Sequence, residues 1–223
     1  MNNMKLHYRV AIAAAKQFDQ FFGTSMKERV GRFYRYFLKK LSPIRRMTDP
    51  LLIELQYYLA IKRPKNLKLH LGCGWKHFTG YINVDLWITD ATDIICDIAS
   101  LPWPDNSVDV IESYHVIEHI SHTEIKKTLK EWHRALSSNG KLILECPNFD
   151  SAVQEYLGGN EERLLNIFGR QRFDGDSHLY GYSPQRLTKL LTEIGFTNIC
   201  VKVPQSSQSL DEPSFRVECQ KTL

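Results

Sequence analysis

Leu67-Lys68-Leu69-His70-Leu71-Gly72-Cys73-Gly74-Trp75-Lys76-His77-Phe78-Thr79-Gly80-Tyr81-Ile82-Asn83-Val84-Asp85 is the stretch on which the fold turns. The apolar run through Leu71 is short enough for a buried parallel strand. Gly72 and Gly74 then let the backbone turn sharply and approach a ligand with no Cβ in the way. A second short strand, 81–85, closes on Asp85, where a carboxylate can accept two hydrogen bonds from a ribose diol, as the acid of dinucleotide-binding folds does. A nicotinamide site would want a third glycine where His77 stands, and its acid about twenty residues after the first glycine. Asp85 follows Gly72 by only 13 residues, so the spacing points to an adenosine-type ligand other than a nicotinamide dinucleotide.

Beyond this stretch, strands and helices alternate. The pattern predicts strands near 67–71, 81–85, 93–96, 108–113, 141–146, 197–203 and 214–220, with helices near 123–137 and 184–194. Ser137-Ser138-Asn139-Gly140 reads as a turn before a strand, and Gly195 as a helix C-cap. The expected fold class is α/β: a Rossmann-like, doubly wound, mostly parallel sheet with helices on both faces, over residues 67–223. In such a sheet ligands lie outside the carboxyl ends of the strands, which selects 72–80, 85–87, 97–104, 113–120 and 147–182. The last is a long connection with paired glycines, aromatics and a histidine, the make-up of a substrate lid.

The order and spacing of four motifs carry a resemblance. Leu69-His70-Leu71-Gly72-Cys73-Gly74, Asn83-Val84-Asp85-Leu86, Cys96-Asp97-Ile98 with Leu101-Pro102, and Ser113-Tyr114-His115-Val116-Ile117-Glu118-His119-Ile120 together resemble the class I S-adenosylmethionine-dependent methyltransferases, over about 67–220. The resemblance implies an enzyme with S-adenosyl-L-methionine as cofactor. It implies that the glycine turn faces the methionine part, that Asp85 binds the ribose hydroxyls, that Asp97 and Ile98 flank the adenine, and that Ser113 brings backbone to the methionine amino group. His70 and Leu86 fall within the same cofactor motifs. Two positions depart from the family: the usual acid two before the first glycine is His70, and a common third glycine is Lys76, which leaves Gly80 to supply the turn. A non-catalytic cofactor-binding or scaffolding protein on the same fold is the alternative reading.

Methyl transfer to a hydroxyl needs an aligned acceptor, a dry site and a proton acceptor, and needs no metal. Histidine is the readiest base near neutral pH, so His178, His115 and His119 are the candidates, His178 and His115 foremost. His178 ranks first because it lies in the lid beside Tyr180 and Tyr182, which are candidates for binding the acceptor. The bland alternatives are a surface loop for His178, pocket packing for His115 and helix capping for His119. His115-Val116-Ile117-Glu118-His119 also matches the His-x-x-Glu-His pattern of some zinc peptidases, which gives a second alternative, a zinc hydrolase using His115 and His119. The expected turn after the fourth strand argues against the long helix such a site needs. No Asn-Pro-Pro-Tyr type segment follows that strand, so the resemblance disfavours a nucleobase amine as acceptor. The Gly72-to-Asp85 pattern and the lid's His178-Leu179-Tyr180-Gly181-Tyr182 together resemble small bacterial methyltransferases of surface polysaccharide or other small-molecule biosynthesis, which implies O-methylation of a sugar or other small-molecule hydroxyl.

The charge is unevenly placed. Residues 1–66 hold fourteen Lys and Arg against four Asp and Glu, a balance of +10, while the remainder holds fifteen against twenty-one. Helices are expected at 4–22, 26–41 and 50–61, the second with an apolar stripe of Met26, Val30, Phe33, Phe37, Leu38 and Leu41 between basic positions. This basic helical extension suits packing on the domain or a homodimer contact, and otherwise a peripheral contact with an anionic membrane surface. No recognised nucleic-acid module is present. Five dispersed cysteines without a Cys-x-x-Cys read as reduced thiols in a cytoplasmic protein. No segment approaches the roughly twenty apolar residues of a membrane span.

Overall fold

The computed structural model describes residues 66–206 and 212–222. The helices expected at 4–22, 26–41 and 50–61, and the dimer and membrane readings attached to them, lie outside the described residues. Within these bounds the chain builds one seven-stranded sheet from β1 (Lys68–Leu71), β2 (Ile82–Asp85), β3 (Ile94–Ile95), β4 (Val108–Tyr114), β5 (Leu136–Pro147), β6 (Phe196–Lys202) and β7 (Ser214–Lys221). The strand order is β3-β2-β1-β4-β5-β7-β6. All pairings are parallel except those of β7, which is antiparallel to both neighbours. The chain steps outward from β1 to β3 and then returns to the other side of β1 as β4. That reversal opens a crevice at the carboxyl ends of β1 and β4, where such folds bind ligands.

Period-two alternation divides the sheet into two unlike faces. In register across it lie Leu69, Ile111 and Leu142 in one row and Leu71 and Leu144 in the next, all buried. On this apolar face α1 (Ile125–Ala135) packs beside α4 (Pro184–Ile194), and Leu129, Trp132, Leu187 and Leu191 complete the core. Ser183 caps α4 by accepting from the Arg186 amide at 3.4 Å, Pro184 follows it, and Gly195 ends the helix with φ +112°. None of the connections from β1 to β4 carries a helix.

The other face is polar. His70 and Glu112 are in register, as are Glu145 and Arg216, and all four are buried. Tyr81 and Tyr114 both donate to the Glu112 carboxylate. Arg216 bridges Glu145 at 3.0 Å, Glu218 at 2.8 Å and the Tyr114 hydroxyl at 3.2 Å. Burial raises the Glu145 pKa, but the Gln205 and Ser206 amides and Arg216 outweigh it and hold the carboxyl below its ordinary value.

Two local expectations change. Ser137-Ser138-Asn139-Gly140 lies inside β5 as a bulge: the pairing with β4 jumps from Val108↔Leu136 to Val110↔Lys141, and Asn139 takes φ +63°. The connection 147–182 is largely folded, with α2 (Phe149–Leu157), capped by Asn148, and α3 (Arg163–Phe168). Four of the five cysteines are buried and Cys200 is exposed. No helix among the described residues is long and apolar enough to cross a membrane.

Arg216→Met leaves the Glu145 carboxylate buried without its cation, and should cost about 3 kcal/mol of stability by urea denaturation of the full chain. Arg216→Met combined with Glu145→Gln should recover part of that loss. Equal midpoints for wild type and the single variant would show that the pair carries no net stability.

Candidate functional site

At the crevice the β1–β2 connection is fixed by hydrogen bonds. The Gly72 and Cys73 amides both donate to the Val84 carbonyl, at 2.9 and 3.1 Å, which folds the glycine turn back over the end of β2. The Gly74 amide donates to Asp85 Oδ2 at 2.7 Å, and the Trp87 amide to Oδ1 at 2.9 Å. Each carboxylate oxygen thus spends one of its lone-pair directions on backbone and keeps another. Gly72 has φ +67°, and a Cβ there would meet Val116 Cγ2 at 2.3 Å. The glycine turn and the turn after β4 are therefore in direct contact. Gly74 has φ +52° and nothing within 4 Å of a Cβ position, so open space lies above it. Trp75, Leu86 and Trp87 are exposed beside it.

The structure gives the other expected cofactor positions distinct places. Ser113, buried at the end of β4, donates from Oγ to the Leu71 carbonyl at 3.0 Å and ties β4 to β1. Asp97 is exposed past β3 and accepts from the Ala99 amide at 2.8 Å. The Ile98 carbonyl accepts from the Trp132 indole at 2.8 Å, which anchors that loop to α1. His70 supports the loop from below: its ring stacks on Phe78 at 3.9 Å, its Nδ1 lies 3.0 Å from Asn83 Oδ1, and it is 1% exposed. Burial lowers its pKa. Asn83 itself, fully buried, is a hub that sequence reasoning passed over. Its Oδ1 also accepts from the Phe78 amide at 2.9 Å, and its Nδ2 donates to Asp93 Oδ2 at 2.9 Å. An asparagine flanked by Ile82 and Val84 in a buried strand was the available signal, since a buried amide requires partners.

Above the crevice the expected lid folds against the turn after β4. Ile117–His119 form a single 3₁₀ turn. The Glu118 carbonyl accepts the amides of Leu179 and Tyr180, at 2.7 and 3.2 Å, so residues 177–180 run alongside it. This brings His119 and His178 to a ring separation of 5.0 Å. His178 Nδ1 lies 2.8 Å from the Asn166 carbonyl, and His119 Nδ1 lies 3.0 Å from the Ser177 carbonyl. Burial lowers the His178 pKa, partly offset by the Glu118 charge. His115, at φ +53°, places Nδ1 3.5 Å from Glu118 Oε1, close for an ion pair and long for a hydrogen bond. Burial works to lower its pKa, yet the Glu118 carboxylate beside it raises it on balance. Tyr182 is buried, and Tyr180 is partly exposed with its ring edge-on to Tyr182 at 5.3 Å. Glu118 lies in the fourth resemblance motif and in the zinc-peptidase pattern, but was not itself named as a site residue. The zinc-peptidase pattern needs a long helix, which a three-residue turn is not.

Comparison with known proteins matches residues 84–144 to the methyltransferase domain family model. An uncharacterized protein of Methanocaldococcus jannaschii is 31% identical over 126 residues, 49% of this chain and 54% of its own length. A probable S-adenosylmethionine-dependent methyltransferase of Mycobacterium tuberculosis is 29% identical over 105 residues, 47% of this chain and 32% of its own. The match with these relatives spans about half of the first and a third of the second. Among solved structures, a SAM-dependent methyltransferase of Methanosarcina mazei superposes with a TM-score of 0.53 at 16% identity, covering 82% of this chain and 99% of that one. This likeness is one of fold.

His70 supplies a pH test of the loop. Its folded-state pKa lies below the unfolded value of about 6.5, so as pH falls through that value the unfolded chain takes up the proton first and stability is lost. The urea midpoint should fall from pH 7.5 to pH 5.5, and in His70→Gln it should fall less steeply. Parallel slopes would remove His70 from the acid sensitivity.

Proposed function

We propose that this chain, which carries a methyltransferase domain of class I fold, transfers the methyl group of S-adenosylmethionine to a hydroxyl of a sugar or other small molecule. The observation that carries the reading is a single juxtaposition. The open space over Gly74, with Asp85 at its rim, adjoins through the Gly72–Val116 contact a turn and lid that hold Glu118, His119 and His178 together.

The residues present suit the cofactor. Asp85 is held by the Gly74 and Trp87 amides with a lone pair left on each oxygen, the acceptor pair a ribose diol needs. A side chain at position 74 would intrude on the space left open there, and the exposed indoles of Trp75 and Trp87 offer apolar cover. Asp97 and Ile98, past the end of β3, are the residues assigned to the adenine in this reading. The cofactor supplies a methyl group on a sulfonium, so that the new O–CH3 bond forms as the S–CH3 bond breaks and a neutral thioether leaves.

The chain's own work is alignment, exclusion of water and removal of the hydroxyl proton. His178 offers an unprotonated Nε2, because Nδ1 faces the Asn166 carbonyl, which can only accept. Glu118 beside it favours positive charge there. The proton is lost into this Glu118–His119–His178 group. Tyr180, partly exposed at its edge, suits the face of a sugar ring.

Gly74→Ala should cost only about 1–2 kcal/mol of stability, from its left-handed backbone, and weaken S-adenosylmethionine at least about tenfold in calorimetry, because the methyl enters the ligand space. Unchanged affinity would move the cofactor away from this loop. His178→Ala should lower turnover about a hundredfold while leaving cofactor affinity nearly intact. Substrate comes from a labelled-methyl screen across sugar nucleotides, glycans, RNA and small acids. Labelling of RNA or protein alone would overturn the hydroxyl acceptor proposed, and binding of cofactor with no methylation would favour a scaffolding role.

A further inference from the structure

We infer that Glu118, His119 and His178 form a site for one divalent transition-metal ion of zinc type, with a coordination position left for an oxygen of the acceptor. One potential ligand atom from each residue lies within 4.8 Å of the other two. A point can therefore be found no more than about 2.8 Å from all three, against the ~2.0–2.2 Å of zinc bonds to histidine nitrogen and carboxylate oxygen. Small rotations of three side chains close that gap.

The hydrogen bonds select the tautomers a metal needs. A carbonyl oxygen can only accept, so the Nδ1 atoms of His119 and His178, 3.0 and 2.8 Å from the Ser177 and Asn166 carbonyls, carry the ring protons. Their Nε2 atoms then carry lone pairs. A backbone carbonyl behind each ring is the arrangement that orients metal-bound histidines and fixes their tautomer. Two imidazoles whose Nε2 atoms both carry lone pairs offer no hydrogen bond between those atoms.

Glu118 supplies the second, independent observation. It is 2% exposed, and neither of its carboxylate oxygens has a hydrogen-bond partner. A carboxylate taken out of water without donors is costly unless a cation compensates it. His115 Nδ1, 3.5 Å from Oε1, is the nearby cationic candidate, and it addresses one oxygen only. A metal ion would satisfy the carboxylate and both Nε2 atoms at once. Two borderline nitrogens and one oxygen suit zinc or cobalt over calcium or magnesium, which prefer all-oxygen sets. Three protein ligands with an open position is the pattern of ions that engage a substrate, not of closed structural sites.

The ligands differ from those of the zinc-peptidase pattern. Glu118 joins as a ligand, and His178 arrives from the lid, 59 residues after His119. The backbone bonds from Leu179 and Tyr180 to the Glu118 carbonyl already hold the two segments in register. The site stands on this geometry alone. Only the role of the open position rests on the methyl-transfer reading: an ion holding both Nε2 atoms would take the place of His178 as base, by binding the acceptor hydroxyl beside the methyl donor and easing loss of its proton to solvent.

The test uses the full chain, stripped with a chelator, dialysed, and titrated with Co2+ and then Zn2+. One cobalt ion per chain is expected, with the visible absorption of low-coordinate cobalt and displacement by zinc. Glu118→Gln, His119→Gln and His178→Gln should each weaken zinc at least about a hundredfold, while His133→Gln, on α1 away from the group, should not. Zinc should also raise the thermal midpoint of the wild type and leave those of the three variants unmoved. Failure of the folded wild type to bind either ion at about 0.1 mM, or binding indifferent to all three substitutions, overturns the inference. Calorimetry with S-adenosylmethionine on the same sample separates the two proposals: cofactor binding without metal binding defeats this one alone, and metal binding without cofactor binding leaves it standing while defeating the other.

Discussion

The Asn83 side-chain amide is the interaction on which the ligand-facing end of this molecule depends. In a sheet of this kind a helix after β1 would ordinarily brace the glycine turn, and here the chain passes from β1 to β2 without one. Bracing falls to side chains instead. Asn83 Oδ1 accepts from the His70 ring and the Phe78 amide, and Nδ2 donates to Asp93 and to the Phe78 carbonyl at 3.2 Å. These bonds join β1, the loop 72–81, β2 and the approach to β3 through one buried group. A hydrogen-bonded amide that is fully buried is far costlier to break than to form, so the loop has few alternative geometries. Gly74 and Asp85 keep their relation because both ends of the loop between them are held.

The unlike faces of the sheet extend the same economy. The apolar face spends its surface on α1 and α4 and accounts for most of the core. The polar face is organised by charge and hydroxyl contacts running from Tyr81 through Glu112 and Tyr114 to Arg216 and Glu145. Such a chain is fully connected, which is the condition for buried polar groups to specify a structure without a net penalty. It also reaches the candidate site: the Glu145 carbonyl accepts the His115 amide at 2.8 Å, so β5 sets the starting point of the turn 115–119.

What the sequence disclosed followed from local rules. Short apolar runs ending at Leu71 and Asp85 read as strands, the rule for open parallel sheets pointed to the carboxyl ends of the strands, and the helix expected near 184–194 with Gly195 as its C-cap matches α4. What it withheld depended on tertiary context. Ser137–Gly140 carries strong turn chemistry, yet pairing with β4 keeps the segment in the strand as a bulge. Helices α2 and α3 are too short for helical periodicity to announce them, and Gly158-Gly159 between them reads as loop. The three histidines were all visible as candidates, but the meeting of His119 with His178 depends on where the lid returns, and no spacing rule encodes that. His70 stands among the cofactor motifs by its place before the glycines, and the structure stacks it on Phe78. Strand alternation, applied strictly, puts it on the opposite row from Leu69 and Leu71 and beneath the loop.

The turn 115–119 is held from both sides, and this decides which way its acid faces. His115 takes φ +53°, a conformation that an ordinary side chain adopts only when its surroundings enforce it. On one side the Glu145 carbonyl fixes its amide, and on the other Val116 fills the space that a side chain at position 72 would need. The reversal between these supports sends Glu118 inward and leaves its carbonyl to receive the lid. One residue thus joins three parts of the site: its backbone carries the lid, its carboxylate faces the histidines, and its neighbour Val116 rests on the glycine turn. A glycine at position 72 is required less for turning than for that contact, because any larger residue would push away Val116 and with it the turn that carries Glu118.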